Sequence, residues 1–319
     1  SWLCGEGNAE PTQLHELRDV VSLTCTPAGY FHGRSRRVGF SCAAITRDGT
    51  LYTWGRNSAR QLLIQQSQVS RPTRVSESCG LWHPRTEKAL FVGLGLDFMV
   101  LCVQRATEPG ARPEERQQHT SVLMFGELTM ELLELRDVPL RQLVAGAFFG
   151  CALTPRGELY TFGDKFGTDL SNGNLLGQGE EDAACRMLTE EGMGPVAEVA
   201  CSTYSTIAIT VDGRVFSWGD CDGGALGHHE IECHTPHWIA ALRWLKVTHG
   251  SLSYTNGAVA TTEGRVFVWG GNAWQGGIAE GRATKLPTEV RWSGVPACYR
   301  CSSVSLAHRH GYLIFRKQP

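Results

Sequence analysis

The sequence has no apolar run long enough to cross a bilayer and no excess charge of either sign. No stretch reaches the roughly 18–20 consecutive apolar residues that a membrane-spanning helix requires. Its 30 basic and 32 acidic residues leave a formal net charge of −2, which gives no overall attraction to nucleic acid or to an anionic membrane. We therefore expect neither membrane insertion nor a nucleic-acid partner.

The sequence also lacks the motifs that mark common enzymes. Residues 223–227 and 270–277 are rich in glycine. Neither stretch precedes a predicted helix and no Gly-Lys-Ser/Thr follows, so they are predicted as turns and not as phosphate cradles. No Ser-His-Asp set and no paired-carboxylate motif stands out. We expect no catalytic residue, no cofactor and no enzymatic activity.

Twelve cysteines are present, but they do not form a metal-binding pattern. Cys298 and Cys301 have the spacing of half a zinc site, and no second pair matches it. Others, such as Cys42 and Cys151, fall in apolar strand segments, where free cysteine behaves as a small buried hydrophobe. No secretory signal is visible in this chain, which begins at Ser1, so we expect reduced thiols and an intracellular protein, cytoplasmic or nuclear.

Histidine is concentrated in one segment, residues 228–237, which reads His-His-Glu-Ile-Glu-Cys-His-Thr-Pro-His. Neutral imidazole and thiolate at this density could hold a transition metal. The segment nevertheless falls in a connection between predicted strands, where histidine is common at the surface. No metal ligand is assigned.

A strand–turn–strand pattern recurs along the chain about every 50 residues. Its clearest copies lie at 48–55, 156–163, 212–219 and 263–270, and each runs from a Gly through an apolar and an aromatic residue to Trp-Gly or Phe-Gly. Asp-Gly between apolar strands predicts a hairpin, because tight turns need positive φ. A repeat of this period predicts a solenoid or a propeller, and such arrays mostly bind other proteins.

The spacing of the glycines that end these hairpins favours a closed ring. They are Gly5, Gly55, Gly126, Gly163, Gly219 and Gly270, at intervals of 50, 71, 37, 56 and 51 residues. One blade cannot bury its apolar faces alone, and radial stacking leaves only short, protected edges. We predict an all-β fold in which residues 1–319 form a single β-propeller, with six blades or, alternatively, seven.

The predicted blades lie near 19–57, 75–128, 138–165, 195–220, 244–271 and 294–319, the last completed by 1–8. The N-terminal strand, around Trp2 to Gly5, is expected to join the last blade and close the ring. The alternative is that part of a seventh blade lies outside the chain. Residues 130–135 are the best short helical candidate, of one turn or less.

The hairpins are followed by Leu-Gly, as at Leu176-Gly177 and Leu226-Gly227, and then by a proline about ten residues on. These prolines are Pro72, Pro236 and Pro287. The combined pattern resembles the repeat family named for the regulator of chromosome condensation, the RCC1-type repeat, and the likeness covers nearly the whole chain. The resemblance implies a β-propeller, usually seven-bladed in that family.

The resemblance also implies a candidate activity, since the founding member of the family exchanges nucleotide on the GTPase Ran. The family often places a histidine before the hairpin. The residues of this chain at those positions are Ser41, Phe149, Ser205 and Asn256. This difference argues against a direct transfer of the activity.

Tryptophan falls into three groups by its place in the repeat. Three residues recur at one repeat position and are predicted to be core: Trp54, Trp218 and Trp269. Three others fall outside that position and could equally face a partner or fold back and pack: Trp82, Trp274 and Trp292. Trp238 and Trp244 lie on a connection outside the hairpins and are predicted to be packed.

Two insertions interrupt the regular repeat, at residues 106–120 and 164–173. Loops on a rigid scaffold carry function disproportionately. We therefore predict partner contacts in these loops, together with one tryptophan of a blade connection. The predicted contacts are Asp164, Lys165, Phe166, Glu114, Glu115, Arg116 and Trp274.

These observations predict a non-enzymatic protein–protein interaction scaffold, a monomeric module of a larger protein or assembly. A guanine-nucleotide exchange factor, with a small GTPase as its protein partner, is the first alternative. A substrate-recruiting domain of a ubiquitin ligase is the second.

Overall fold

The computed structural model describes most of the chain. The described residues are 2–3, 12–27, 40–77, 80–105, 119–126, 129–163, 173–178, 185–188, 191–220, 223–229, 232–271, 284–290, 298–306 and 311–317. The chain divides into two compact units, the first comprising Ser1–Thr26 and Arg36–Pro139 and the second Pro27–Ser35 and Leu140–Pro319. No helix of this described part has the length and apolarity to cross a membrane.

The first unit contains one two-stranded and two four-stranded sheets. The two-stranded sheet pairs β1 (Trp2–Leu3) with β2 (Thr12–Gln13). The next comprises β3 (Val20–Cys25), β4 (Ser41–Thr46), β5 (Leu51–Arg56) and β6 (Gln68–Arg74). The third comprises β7 (Lys88–Leu94), β8 (Met99–Gln104), β9 (Thr120–Phe125) and β10 (Met130–Glu131). A 3-10 turn at Leu133–Leu135 follows, inside the predicted short helical segment.

The second unit contains three four-stranded sheets and one two-stranded sheet. The first comprises β11 (Gln142–Ala145), β12 (Phe149–Leu153), β13 (Leu159–Gly163) and β14 (Cys185–Met187), with helix α1 (Gly173–Leu176) before β14. The second comprises β15 (Val196–Cys201), β16 (Ser205–Thr210), β17 (Val215–Asp220) and β18 (Glu232–Trp238), followed by a 3-10 turn at Ala240–Leu242. The third comprises β19 (Val247–Leu252), β20 (Asn256–Thr261), β21 (Val266–Gly270) and β22 (Thr284–Val290). The last pairs β23 (Tyr299–Leu306) with β24 (Gly311–Lys317).

Every sheet is an antiparallel meander in which strands neighbour each other in chain order. The prediction of an all-β fold built from repeated hairpins is therefore confirmed. The second strand of each four-stranded sheet is its most buried element, and all six residues of β4, β16 and β20 are buried. The core consequently lies on both faces of these strands, between successive sheets of each unit. The blade count and the ring closure stay predictions.

The hairpin between the second and third strands turns on a glycine, as the sequence predicts. Gly49, Gly157, Gly213 and Gly264 have φ of 86°, 86°, 88° and 77°. A Cβ at Gly213 would lie 2.7 Å from Lys246 Cγ. Glycine is needed here both for the left-handed backbone and for the close approach of the next sheet.

The same glycine joins consecutive sheets through its carbonyl oxygen. The N–H of Ala89 donates to the Gly49 carbonyl at 3.0 Å, and the N–H of Val247 donates to that of Gly213 at 3.1 Å. Two further pairs repeat the bond, Val196 to Gly157 at 2.9 Å and Cys301 to Gly264 at 3.4 Å. Each bond connects the hairpin of one sheet to the first strand of the next. We call it the turn-to-strand bond.

The fourth strand of the sheets lies where the sequence indicates only a connection. Pro72, Pro236 and Pro287 fall within β6, β18 and β22. Proline is confined to edge strands and bulges because it cannot donate to the ladder. In each case it ends a three-residue bulge that faces a tryptophan: Ser70–Pro72, His234–Pro236 and Lys285–Pro287.

The tryptophans opposite these bulges are core residues, as predicted. Trp54, Trp218 and Trp269 are 4%, 0% and 3% exposed. Trp82, for which partner contact and packing were both open, is packed, at 1% exposure. The prediction for Trp244 is wrong: expected to pack, it is 85% exposed with the Arg243 guanidinium over its ring. Trp238 is only partly packed, at 38% exposure.

The connection between the third and fourth strands has the same backbone conformation in a sheet of each unit. In the first unit, non-glycine residues stand at the positions that glycines occupy in the second. Gly224 and Gly227 have φ of 82° and 76°, and Arg60 and Leu63 have φ of 59° and 57°. The hydroxyl of Ser217 donates to the Leu226 carbonyl at 2.7 Å, and that of Thr53 donates to the Leu62 carbonyl at 2.8 Å. The loop of residues 57–63 is therefore the counterpart of the Leu-Gly loop, with strained residues in the glycine positions.

We expect Gly219→Ala to lower the free energy of unfolding by about 3 kcal/mol or more. Gly219 has φ of 107°, and a Cβ there would overlap the Tyr204 carbonyl oxygen. Gly192→Ala is the matched control, since Gly192 has φ of 81° but nothing within 4 Å of the added Cβ. It should cost only the backbone strain, about 1 kcal/mol. Urea denaturation of both variants measures the difference, and equal losses would refute the close-approach explanation.

Two tryptophans at the same repeat position differ in their indole hydrogen bond. Trp269 Nε1 donates to the Ala225 carbonyl at 2.7 Å, whereas Trp218 Nε1 has no partner within the part of the chain that the structure describes. Trp269→Phe should therefore cost about 1–3 kcal/mol more than Trp218→Phe in unfolding free energy. Chemical denaturation of the two variants tests this, and the reverse order would show that the bond contributes nothing.

Candidate partner-binding face

All seven predicted contact residues lie outside the described residues. Three belong to the loop after β13, Asp164, Lys165 and Phe166, and three to the loop between β8 and β9, Glu114, Glu115 and Arg116. The seventh is Trp274, and Trp292 also lies outside. These assignments stay predictions. The structure describes the residues that flank each loop.

The two loops leave their sheets from opposite strand ends. The loop between β8 and β9 replaces the tight turn between the second and third strands of its sheet. Its base is closed by the N–H of Arg105, which donates to the His119 carbonyl at 2.8 Å. The loop after β13 follows the third strand of its sheet and begins after Gly163, which pairs with Phe149. In the repeat, these two connections lie at opposite ends of a sheet.

A row of aromatic side chains lies at the end of the sheets where the 164–172 loop departs. Phe148, Tyr204 and Tyr254 stand at the tips between first and second strands of three consecutive sheets, and each is half-buried. The rings of Phe148 and Tyr204 stack at 5.9 Å between centroids, and those of Tyr204 and Tyr254 meet edge to face at 6.0 Å. We call these three residues the aromatic row.

Backbone hydrogen bonds hold each tip of this row in place. The N–H groups of Gly146, Ser202 and Ser253 each donate at 2.8 Å to the carbonyl three residues on. The Ala147 N–H donates at 3.2 Å to the Thr203 carbonyl, which ties the first tip to the second. The aromatic rings are thus carried on short, closed turns.

Buried polar side chains complete the tips. The hydroxyls of Ser202 and Ser205 are 2.8 Å apart, and the Asn256 amide donates to Ser253 at 3.3 Å and to Thr255 at 3.1 Å. All of these residues except Thr255 are buried. The polar groups under the row are therefore committed to fixing the turns.

The structure brings the ends of the 164–172 loop against the aromatic row. Leu175 and Leu176 of α1, just after the loop, are buried with Phe149, and Tyr204 packs against the same cluster. Half-exposed aromatic rings on a fixed frame offer contact area at low entropic cost and are typical interface anchors. The arrangement is therefore suited to binding.

Two members of this row have a recognisable signal in the sequence. Phe40, Phe148 and Tyr204 each directly precede a buried second strand. Aromatic residues recurring at a strand tip mark an exposed position, because the strand itself begins one residue later. The tryptophans recur at the same end of the hairpin, where Trp218 pairs with Thr206, but they are buried and so do not mark the exposed tip.

The histidine-rich segment forms a compact cluster on β18 and the loop before it. His228 is 7% exposed, its ring centroid lies 4.6 Å from that of His237, and its Nε2 lies 3.8 Å from Cys233 Sγ. Burial lowers the pKa of His228 to about 4, with further lowering from His237 and His229. Among the described residues no group of three or more His, Cys, Asp or Glu is arranged to hold a metal ion.

We expect His228 to make the fold acid-sensitive. In the unfolded chain the imidazole takes up a proton near pH 6.5, whereas folded His228 stays neutral to about pH 4. Because the unfolded state binds the additional proton, stability is full above about pH 6.5 and falls as the pH drops toward 4.

A series of urea denaturations across this pH range measures the slope. His228→Gln should flatten it, and His229→Gln, at the exposed neighbouring position, should leave it unchanged. An unchanged slope in His228→Gln would show that other groups cause the acid sensitivity.

Comparison with known proteins gives relatives that share this repeat. The ultraviolet-B receptor UVR8 of Arabidopsis thaliana is 26% identical over 324 residues, covering 96% of this chain and 66% of the receptor. The RCC1 domain-containing mitochondrial protein RUG3 of the same plant is 28% identical over 267 residues, covering 81% and 56%. The human E3 ubiquitin-protein ligase HERC2 is 36% identical over 133 residues, covering 40% and 3%. No family model matches the chain.

Solved structures agree on the fold. Human WBSCR16 superposes with a TM-score of 0.73 at 19% identity, covering 96% of this chain and 77% of that one. Yeast RCC1 (Prp20), solved bound to Kap60, superposes with a TM-score of 0.55 at 11% identity, covering 94% and 81%. Another structure of Prp20, from Saccharomyces cerevisiae, was described with its binding properties to Gsp1p and histones. The chain spans less than two thirds of the length of each of these three relatives.

Proposed function

We propose that this chain, whose RCC1-type β-propeller repeat is supported by both relatives and solved structures, is a non-enzymatic protein-interaction module. The observation that carries the proposal is the aromatic row of Phe148, Tyr204 and Tyr254. It offers contiguous, fixed aromatic surface beside a ten-residue insertion, and it contains no side chain suited to chemistry.

The partner that fits this face is a protein. Half-buried aromatic side chains are anchors for apolar side chains of a partner. The yeast protein Prp20 was solved with Kap60 and was described with Gsp1p and histones, so a similar fold presents surfaces to proteins. We propose the same general use here, in a monomeric module of a larger intracellular assembly.

For the architecture, we propose the six-bladed ring that the repeat spacing predicts, closed by the N-terminal strand on the last blade. Five four-stranded sheets and two two-stranded sheets are present among the described residues. The two-stranded sheets are those formed nearest the two chain ends, β1–β2 and β23–β24. A last blade shared between the ends of the chain would produce this distribution of strands.

The proposal predicts that partner binding depends on the aromatic row. We expect the double variant Phe148→Ala/Tyr204→Ala to lose its partners by about 30-fold or more in affinity, since a central aromatic anchor contributes about 2 kcal/mol. Trp244→Ala is the matched control, because Trp244 is an aromatic residue outside the row that is 85% exposed. Tagged full-length chain, captured from its own cells and analysed by mass spectrometry, identifies the partners, and titration of a recovered partner gives the affinity.

The thermal unfolding of each variant is measured as well, to distinguish loss of binding from loss of folding. Tyr254→Ala is a second variant that removes only one ring of the row. Retention of every partner by the folded double variant would refute the proposed face. Acceleration of GDP release from a recovered small GTPase would instead favour an exchange factor. Recovery of the catalytic subunit of a ubiquitin ligase would make the module a substrate-recruiting domain.

A further inference from the structure

Two cysteines of the first unit lie directly opposite each other on neighbouring strands. Cys25 ends β3 and Cys42 is the second residue of β4, and the antiparallel register pairs one with the other. Their sulfur atoms are 2.8 Å apart. Residues directly opposite in an antiparallel pair have Cα atoms about 4.5–5.5 Å apart, which lies within the range that a disulfide spans.

The two residues differ in their exposure to solvent. Cys25 is exposed, whereas Cys42 is buried, with 7% exposure, in the cluster that contains Ala44 and Trp54. The hydrogen bond from the Cys42 thiol lowers the pKa of Cys25, and the same contact together with burial raises that of Cys42. Cys25 is therefore the residue of the pair nearer to solvent and the thiol that ionises first.

The second unit shows that packing does not require a cysteine at the buried position. Cys201 ends β15 at the repeat position of Cys25, but its neighbour on β16 is Thr206, with 3.7 Å between Sγ and Oγ1. The Cys201 sulfur also lies 3.7 Å from that of Cys151, which is on a strand of the preceding sheet and fully buried. Threonine thus fills the place that Cys42 holds in the first unit.

We propose that Cys25 and Cys42 are a redox-active pair that a low-molecular-weight disulfide, of the class of oxidised glutathione, converts into a cross-strand disulfide. The Cys25 thiolate attacks one sulfur of that disulfide, its S–S bond breaks, and the first small thiolate leaves and takes up the proton lost by Cys25. The Cys42 sulfur then attacks the Cys25 sulfur, and the second small thiolate leaves with the proton from Cys42. Two protein thiols are oxidised, and one external disulfide is reduced to two thiols.

Oxidation would tie β3 to β4 at the point where the two strands diverge. The N–H of Thr26, the residue after Cys25, already donates to the Ser41 carbonyl at 2.9 Å. The disulfide closes the chain between 25 and 42 in the unfolded state, so the oxidised protein should melt at a higher temperature than the reduced protein. Thiol reduction would reverse the shift.

The test is equilibration of the purified full chain with glutathione buffers from fully reduced to fully oxidised, followed by alkylation and peptide mass spectrometry. We expect a peptide pair linked through Cys25 and Cys42, with the mass of two hydrogen atoms lost. Cys151 and Cys201 serve as the internal control and should remain alkylatable after unfolding. The melting temperature should rise on oxidation in the wild type only.

Two variants keep the proposal falsifiable. Cys42→Thr recreates the arrangement of Cys201 and Thr206 and should accumulate one glutathione on Cys25, because no second thiol can displace it. Cys25→Ser should leave Cys42 as an unmodified thiol. Separate glutathionylation of the wild-type cysteines, or two free thiols in fully oxidised buffer, would overturn the proposal.

Discussion

The turn-to-strand bond is the interaction on which the stacking of sheets depends. A single sheet of this repeat has apolar residues on both faces of its second strand, so it is stable only when another sheet covers it. The hairpin glycine supplies the joint, since its carbonyl oxygen receives an N–H from the next sheet and its missing Cβ lets that strand approach. The aromatic core residues then fill the space that this backbone contact defines.

The hairpins and their core could be predicted from the sequence because their determinants are local. A glycine at the turn and a tryptophan five residues later fix strand, turn and burial within a few positions, and both are confirmed. The fourth strands were missed because proline ordinarily argues against a strand. In this fold the proline lies at a bulge on an edge strand, where the lost N–H costs no ladder bond.

Other features escaped prediction because they depend on tertiary contacts. The loop containing Arg60 and Leu63 has the backbone of the Leu-Gly loop without its glycines, so no sequence motif announces it. Trp82 is buried by a cluster that includes residues distant in sequence, and Trp244 is exposed beside Arg243, whose guanidinium lies over its ring. The aromatic row likewise emerges only when three sheets place their tips side by side, since Phe148, Tyr204 and Tyr254 are about 50 residues apart in the chain.

The bulges that face the tryptophans have an effect at the outer edge of the sheets. A continuous edge strand presents a row of unpaired N–H and carbonyl groups onto which a foreign strand can add, and that addition begins aggregation. In β6, β18 and β22 the row is interrupted by three bulged residues and by a proline without an N–H. The bulge that faces the tryptophan therefore also makes the edge strand a poor template for an incoming strand. A chain rich in β-structure can then stay close to other proteins without polymerising through its edges.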